Sequence, residues 1–119
     1  MQKKVTTSVK LQKNLHRQLQ KRIIDDGYGM RGKSQWIIES IESFLKLTDY
    51  PTLVDIAEDM DQLEDMLTIR VPEFLVLRME KAIVHIRKQY PTLEGVKSNL
   101  IRASIIQRLL RDSTSVAEV

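Results

Sequence analysis

The residue types that this sequence lacks exclude several kinds of site. It has no cysteine, which rules out disulfides and thiolate metal sites, and its two histidines, His16 and His85, are too few for an all-histidine site. No apolar run approaches the roughly 20 residues of a membrane span, and the polar, alternating start of the chain is unlike a signal peptide. We therefore expect a cytoplasmic protein that contacts no membrane.

Catalytic motifs are missing as well. There is no glycine-rich phosphate loop, no nucleophile elbow and no pair of carboxylates at catalytic spacing. Asp25-Asp26 closes a helical pattern without partner residues, and Trp36 falls in an apolar helical stripe, where a core position is expected. The sequence predicts a protein that is not an enzyme and that uses neither a cofactor nor a metal.

Acidic residues are scarce outside one segment. Residues 49–65 hold seven of the 16 acidic residues and no lysine or arginine. The other nine are outnumbered by all 19 basic residues, so the rest of the chain carries +10 within a formal net charge of +3. A basic body suits a polyanion partner, although solvated basic helix faces give the same composition. The acidic segment 49–65 is a candidate surface for a basic protein partner.

One pattern occurs twice, and its first copy starts near the N-terminus. Residues 4–11 alternate between apolar and polar, as in a half-buried strand. Apolar residues at helical spacing follow from Leu15 until the breaker glycines at Gly27 and Gly29. A second helix is predicted from Ser34, as its N-cap, to Leu47.

The second copy repeats this order. Residues 66–71 alternate again, and Pro72 suits the first turn of a helix that ends near Tyr90. Ser98 is predicted to cap a last helix. The strands lie 60 residues apart and the caps 64, a difference of about one helical turn. One such unit is too small to bury its apolar faces, whereas two together can do so.

These patterns predict a mainly α protein with a short antiparallel β-ribbon, built from two tandem strand-helix-helix units. The first unit covers residues 1–47 and the second covers residues 66–112. The acidic connector 48–65 is interpreted as a short amphipathic helix packed on the body. Residues 113–119 are expected to form a frayed tail.

Each half resembles a ribbon-helix-helix DNA-binding domain of the MetJ/Arc type, one of the β-ribbon readers. The resemblance rests on an alternating strand, a helix start at Leu11-Gln12-Lys13 or Val71-Pro72-Glu73, and a second helix that opens at Lys-Ser. Members usually form homodimers that pair one strand from each chain. Both halves in one polypeptide resemble the tandem form found among plasmid relaxosome accessory proteins. The tandem layout allows an intramolecular pseudo-dimer or strands shared between chains, with further self-association left open.

The resemblance also implies a site on double-stranded DNA. Outward strand residues would read bases in the major groove, and the start of each second helix would bind phosphate. The base-reading residues would be Thr6, Ser8, Lys10, Met66, Thr68 and Arg70, and the phosphate-binding residues would be Lys4, Lys33, Ser34, Lys97 and Ser98. Lys10 and Arg70 are the strongest candidates, because lysine and arginine fit the O6 and N7 edge of guanine. The strands differ, so a perfect palindrome would match poorly.

Three functions fit this interpretation. A sequence-specific transcriptional regulator is preferred, and a plasmid accessory protein that marks or bends a conjugation origin or partition site is the alternative. An antitoxin is a weaker alternative, because only the seven residues 113–119 follow the second unit, whereas antitoxins of this family carry a long tail that wraps the toxin.

Overall fold

The chain folds as strand, helix, helix, then a short connecting helix, then strand, helix, helix again. The computed structural model describes residues 3–57 and 62–117. In chain order the elements are β1 (Lys4–Leu11), α1 (Lys13–Asp25), a 3-10 turn (Met30–Gly32), α2 (Lys33–Phe44), α3 (Tyr50–Ala57), β2 (Asp65–Pro72), α4 (Glu73–Gln89) and α5 (Val96–Ala117). The predicted connector helix is present as α3, and the connector residues 58–61 lie outside the described ranges.

The two strands pair with each other within one chain. β1 and β2 form a two-stranded antiparallel sheet, with Lys4 opposite Pro72 and Leu11 opposite Asp65. The inner face of this sheet is mostly apolar, with at most 1% exposure at Val9, Leu11, Leu67, Ile69 and Val71. Period-two alternation therefore fixes the register, because a one-residue slip would turn these side chains toward water. The predicted antiparallel ribbon is confirmed.

The core is shared by both halves of the chain. α2 and α5 pack on each other beneath the ribbon, and one cluster of buried side chains includes residues of every helix. Trp36 of α2 is fully buried, which confirms its predicted core position, and its Nε1 donates to Asp26 Oδ2 at 2.8 Å. Since the largest buried side chains come from both halves, removing one half would expose the apolar face of the other.

Two serines mark the internal repeat in the packed centre. Ser40 of α2 and Ser104 of α5 are both 0% exposed. Each hydroxyl donates at 2.7 Å to the carbonyl four residues earlier, which belongs to Trp36 in α2 and Leu100 in α5. Such a bond gives a buried hydroxyl a partner within its own helix. The serines are 64 residues apart, the same offset as the two Lys-Ser pairs.

The helix ends partly follow the sequence predictions. α1 ends in a Schellman motif, in which Tyr28 N–H donates to the Ile23 carbonyl and Gly27, at φ 83°, donates to that of Ile24. The predicted N-caps are wrong. α2 begins at Lys33 after Gly32, and α5 begins at Val96, so Ser34 and Ser98 lie inside the first turns.

Three other details differ from the sequence predictions. Pro72 ends β2 and occupies the N-cap position of α4 rather than its first turn. α2 ends at Phe44, so Leu47 lies in the turn that follows the helix. The backbone of α5 is helical to Ala117, further than residue 112, where the second unit was expected to end.

Candidate nucleic-acid interface

The outer face of the ribbon gathers the six residues predicted to read bases. Their side chains are all exposed, and the register places Thr6 opposite Arg70, Ser8 opposite Thr68, and Lys10 opposite Met66. Lys4 lies on the same face and is also exposed. The structure therefore brings together three cations, three hydroxyls and one exposed methionine on one two-stranded surface, which we call the outer ribbon face.

The outer ribbon face consists of the closely spaced pairs of the sheet. Ser8 Oγ and Thr68 Oγ1 lie 3.0 Å apart and share a hydrogen bond across the strands. Residues at non-hydrogen-bonded positions of an antiparallel pair have the closer side chains and direct their backbone groups away from the partner strand. The Ser8–Thr68 pair lies at the centre. Lys10 and Arg70 lie on either side of it, four pairs apart along β1, which is about 13 Å at roughly 3.3 Å per residue.

The two second helices bind the free edges of the ribbon. Arg70 N–H donates to Ser34 Oγ of α2 at 3.4 Å. Arg102 of α5 donates from Nη1 to the carbonyl of Lys10 at 2.9 Å. Each edge of the two-stranded sheet is thus held by the first part of a helix from the other half of the chain, so the starts of α2 and α5 flank the outer ribbon face.

The predicted phosphate-binding residues lie at these helix starts. Lys33 and Ser34 are half-buried in the first turn of α2, and Ser98 is half-buried in the first turn of α5 beside the exposed Lys97. The first N–H groups of a helix have no partner within that helix, and the helix dipole adds positive potential there. Lysines at both starts strengthen that potential, which suits an anion.

The outer ribbon face carries three cations and no carboxylate among its seven residues. None of the three cations on this face forms an ion pair with another residue of the described ranges, whose ion pairs lie elsewhere. The one carboxylate in the two strands, Asp65, is on the inner side, where its Oδ2 lies 3.0 Å from His16 Nδ1. The His16 side chain is therefore only 17% exposed, because β2 covers its ring with a carboxylate.

The last two residues of the acidic connector, Glu64 and Asp65, contact α1. Glu64 lies 3.4 Å from Lys13 Nζ, and both side chains are well exposed. Asp65 binds His16 of the same helix. These contacts place two acids beside the first turns of α1, where they reduce the positive potential next to the outer ribbon face.

Arg102 and its neighbour Asn99 are the interface residues that the sequence did not reveal. Both are buried, at 6% and 3% exposure. A lone arginine within the apolar spacing of a helix was the only signal, and that spacing does not show that the side chain turns inward to a strand. The partner of Arg102 is Lys10, 92 residues earlier, so only the tertiary fold reveals the contact.

Two kinds of feature are absent from the described part of the chain. It contains no group of metal-ligating side chains and no helix long and apolar enough to cross a membrane. Comparison with known proteins identifies no relative, since no family model, curated protein or solved structure matches this chain.

Proposed function

We propose that this chain is a sequence-specific binder of double-stranded DNA with a tandem ribbon-helix-helix architecture. The observation that carries the proposal is the outer ribbon face, where Lys10 and Arg70 are exposed and form no ion pair with any of the residues that the structure describes. The major groove of B-DNA admits a two-stranded ribbon of this kind. The internal repeat, with Ser40 matched by Ser104, supports the tandem architecture.

The spacing of the two outer cations suits base reading. The roughly 13 Å between Lys10 and Arg70 along the ribbon equals about four base-pair steps at 3.4 Å each. Arg70 presents a fork for the O6 and N7 atoms of guanine, and Lys10 reaches the same edge as a point charge. The hydroxyls between them donate or accept at the central base pairs with less discrimination.

Phosphate contacts would fix the orientation of the ribbon. Backbone N–H groups at the starts of α2 and α5, together with Lys33 and Lys97, flank the outer ribbon face and are suited to the two DNA backbones. Contacts of this kind carry no sequence information, and they make binding strongly salt-dependent.

A transcriptional regulator is the function that we favour for such a binder. A specific observation also supports the plasmid alternative, in which the protein marks a transfer origin or partition site. The single-chain ribbon is asymmetric, with Lys10 opposite Met66 at one end and Arg70 opposite Thr6 at the other. An asymmetric ribbon would bind its DNA site in one orientation only. Promoter overlap of the selected sites would favour the regulator, and repeats near a nick site would favour the alternative.

The test begins with selection of bound fragments from a random duplex library. On the selected duplex, K10A and R70A should each weaken binding by about 1–3 kcal/mol, or roughly 5- to 150-fold. K88A and R87A are the matched controls, since both residues are exposed in the last turn of α4, and they should bind like the parent. Equal affinity of parent, K10A and R70A would refute the assignment of the outer ribbon face.

A further inference from the structure

Arg102 is a buried cation with no counter-ion among the described residues. Its side chain is 6% exposed, its Nε has no hydrogen-bond partner, and no carboxylate of the described residues forms an ion pair with it. Burial lowers the pKa of the guanidinium, as expected when a charge loses its hydration. A buried charge without an opposite charge costs folding free energy. Stability alone therefore does not account for arginine at this position.

The hydrogen bonds of Arg102 connect two parts of the interface. Nη1 donates to the Lys10 carbonyl at 2.9 Å, and Nη2 donates to Asn99 Oδ1. Asn99 in turn donates from Nδ2 to the Glu94 carbonyl at 3.2 Å. These contacts form a continuous path from the loop before α5, through the helix start that carries Lys97, to the backbone of Lys10.

The described residues of the first half of the chain form no such path. At the offset of 64 residues that relates the two second helices, Arg102 corresponds to Ile38, a buried apolar side chain, and Asn99 corresponds to Gln35, which is exposed. Arg70 is instead held by a single long bond to Ser34 Oγ, 3.4 Å from its N–H. The backbone at Lys10 is therefore bound more firmly than the backbone at Arg70.

We propose that Arg102 is a positioning residue that fixes Lys10 for base reading and couples it to the phosphate-binding start of α5. This inference rests on the proposed function. Its consequence is a division of roles along the ribbon. On the Lys10 side, discrimination between base pairs depends on a firmly held backbone. On the Arg70 side, it depends on the two-pronged hydrogen bonding of the guanidinium group. Bound phosphate would also supply the negative charge that the neighbourhood of Arg102 lacks.

The test compares R102M with R111M. Methionine at position 102 keeps an unbranched apolar stem and removes every donor. Arg111 is exposed on the same helix, so R111M makes the same chemical change and the same loss of charge away from the ribbon. K10A and R70A first identify the two sides of the duplex, because each variant should lose its preference for the base pairs that its missing side chain reads. Binding is then measured to the duplex selected by the parent and to duplexes with a single base-pair change on the Lys10 side or on the Arg70 side.

We expect R102M to lose about tenfold in discrimination on the Lys10 side and to keep it on the Arg70 side, since one well-placed base contact is worth about that factor. R111M should keep discrimination on both sides. In the free protein, the carbonyl carbon resonance of Lys10 should shift upfield in R102M and stay unchanged in R111M. R102K, which retains one donor to that carbonyl, should restore part of the discrimination.

Two results for R102M would overturn the inference. Full discrimination by R102M on the Lys10 side would show that the contact does not position the reader. An equal loss on both sides would show a general effect of charge or folding. If R102M does not fold, R102K tests the same question. R102K loses the hydrogen bond to Asn99, so parent-like discrimination by R102K on the Lys10 side would refute the proposed coupling to α5. Failure of the parent to select any duplex would instead refute the proposed function, and the inference with it.

Discussion

Replacement of Arg108 by methionine should destabilise the protein by about 2–3 kcal/mol. Arg108 of α5 joins the two halves, since Nη1 donates to the Trp36 carbonyl of α2 at 2.8 Å and Nη2 donates to Tyr28 Oη at 3.1 Å. Its guanidinium also lies 4.3 Å from the centre of the Trp36 ring, and Nη1 lies 3.6 Å from Glu39 Oε1.

The magnitude follows from these contacts. Hydrogen bonds from a charged donor contribute about 1.5–3 kcal/mol each, and a cation over an aromatic ring adds about 1 kcal/mol. The side chain is 18% exposed, so methionine recovers part of this loss by relieving the cost of burying a charge and by packing on the Trp36 ring. The net loss is therefore smaller than the sum of the contacts.

The assay is urea unfolding followed by tryptophan fluorescence, because Trp36 is the only tryptophan and is fully buried between the halves. R111M is the control and should stay within about 0.5 kcal/mol of the parent, as surface substitutions usually do. Parent-like stability of R108M would refute the role of this contact. Two separate transitions in the parent would refute the shared core, because one core should unfold as one unit.

Two further substitutions test the interior and the electrostatics. T7V should stabilise the fold by about 1 kcal/mol in thermal unfolding, since Thr7 is buried and its hydroxyl has no hydrogen-bond partner among the residues that the structure describes. T6V, at an exposed position, is the control, and a destabilised T7V would contradict the reasoning. E39Q should make the free energy of unfolding depend less on pH under acidic conditions. The hydrogen bond from Tyr28 and, to a smaller extent, the one from Gln35 lower the pKa of Glu39 below its ordinary value of 4.5. Ionised Glu39 therefore stabilises the fold above that pH, and the contribution is lost as the pH falls through its folded-state pKa. An equal difference between parent and E39Q at about pH 3 and about pH 6 would show that Glu39 is not coupled to folding.

The elements with a clear hydrophobic period were predictable from the sequence. Alternation identified both strands and their inner faces, because burying one side of a ribbon leaves only one register that keeps apolar residues from water. The breaker glycine at Gly27 and the Tyr90-Pro91 pair marked helix ends, since both restrict the backbone locally. Trp36 was correctly placed in the core because it lies in an apolar helical stripe.

Contacts between distant parts of the chain were not predictable in this way. Ser34 was expected to cap α2, but the N-cap is Gly32, two residues earlier, and the Ser34 hydroxyl accepts a hydrogen bond from the Arg70 backbone N–H. A carboxylate 49 residues away covers His16, and no local pattern indicates that contact. Local patterns indicate where a turn or a helix face will form, but they do not indicate which strand will pack against that face.

The most direct test of the central claim is to map the surface that contacts DNA. Amide resonances of the ¹⁵N-labelled protein would be followed during titration with the duplex selected from the random library. The proposal requires the largest shifts at Thr6, Ser8, Lys10, Thr68 and Arg70 and in the first turns of α2 and α5. Shifts concentrated on α3 and α4, with the outer ribbon face unchanged, would contradict it.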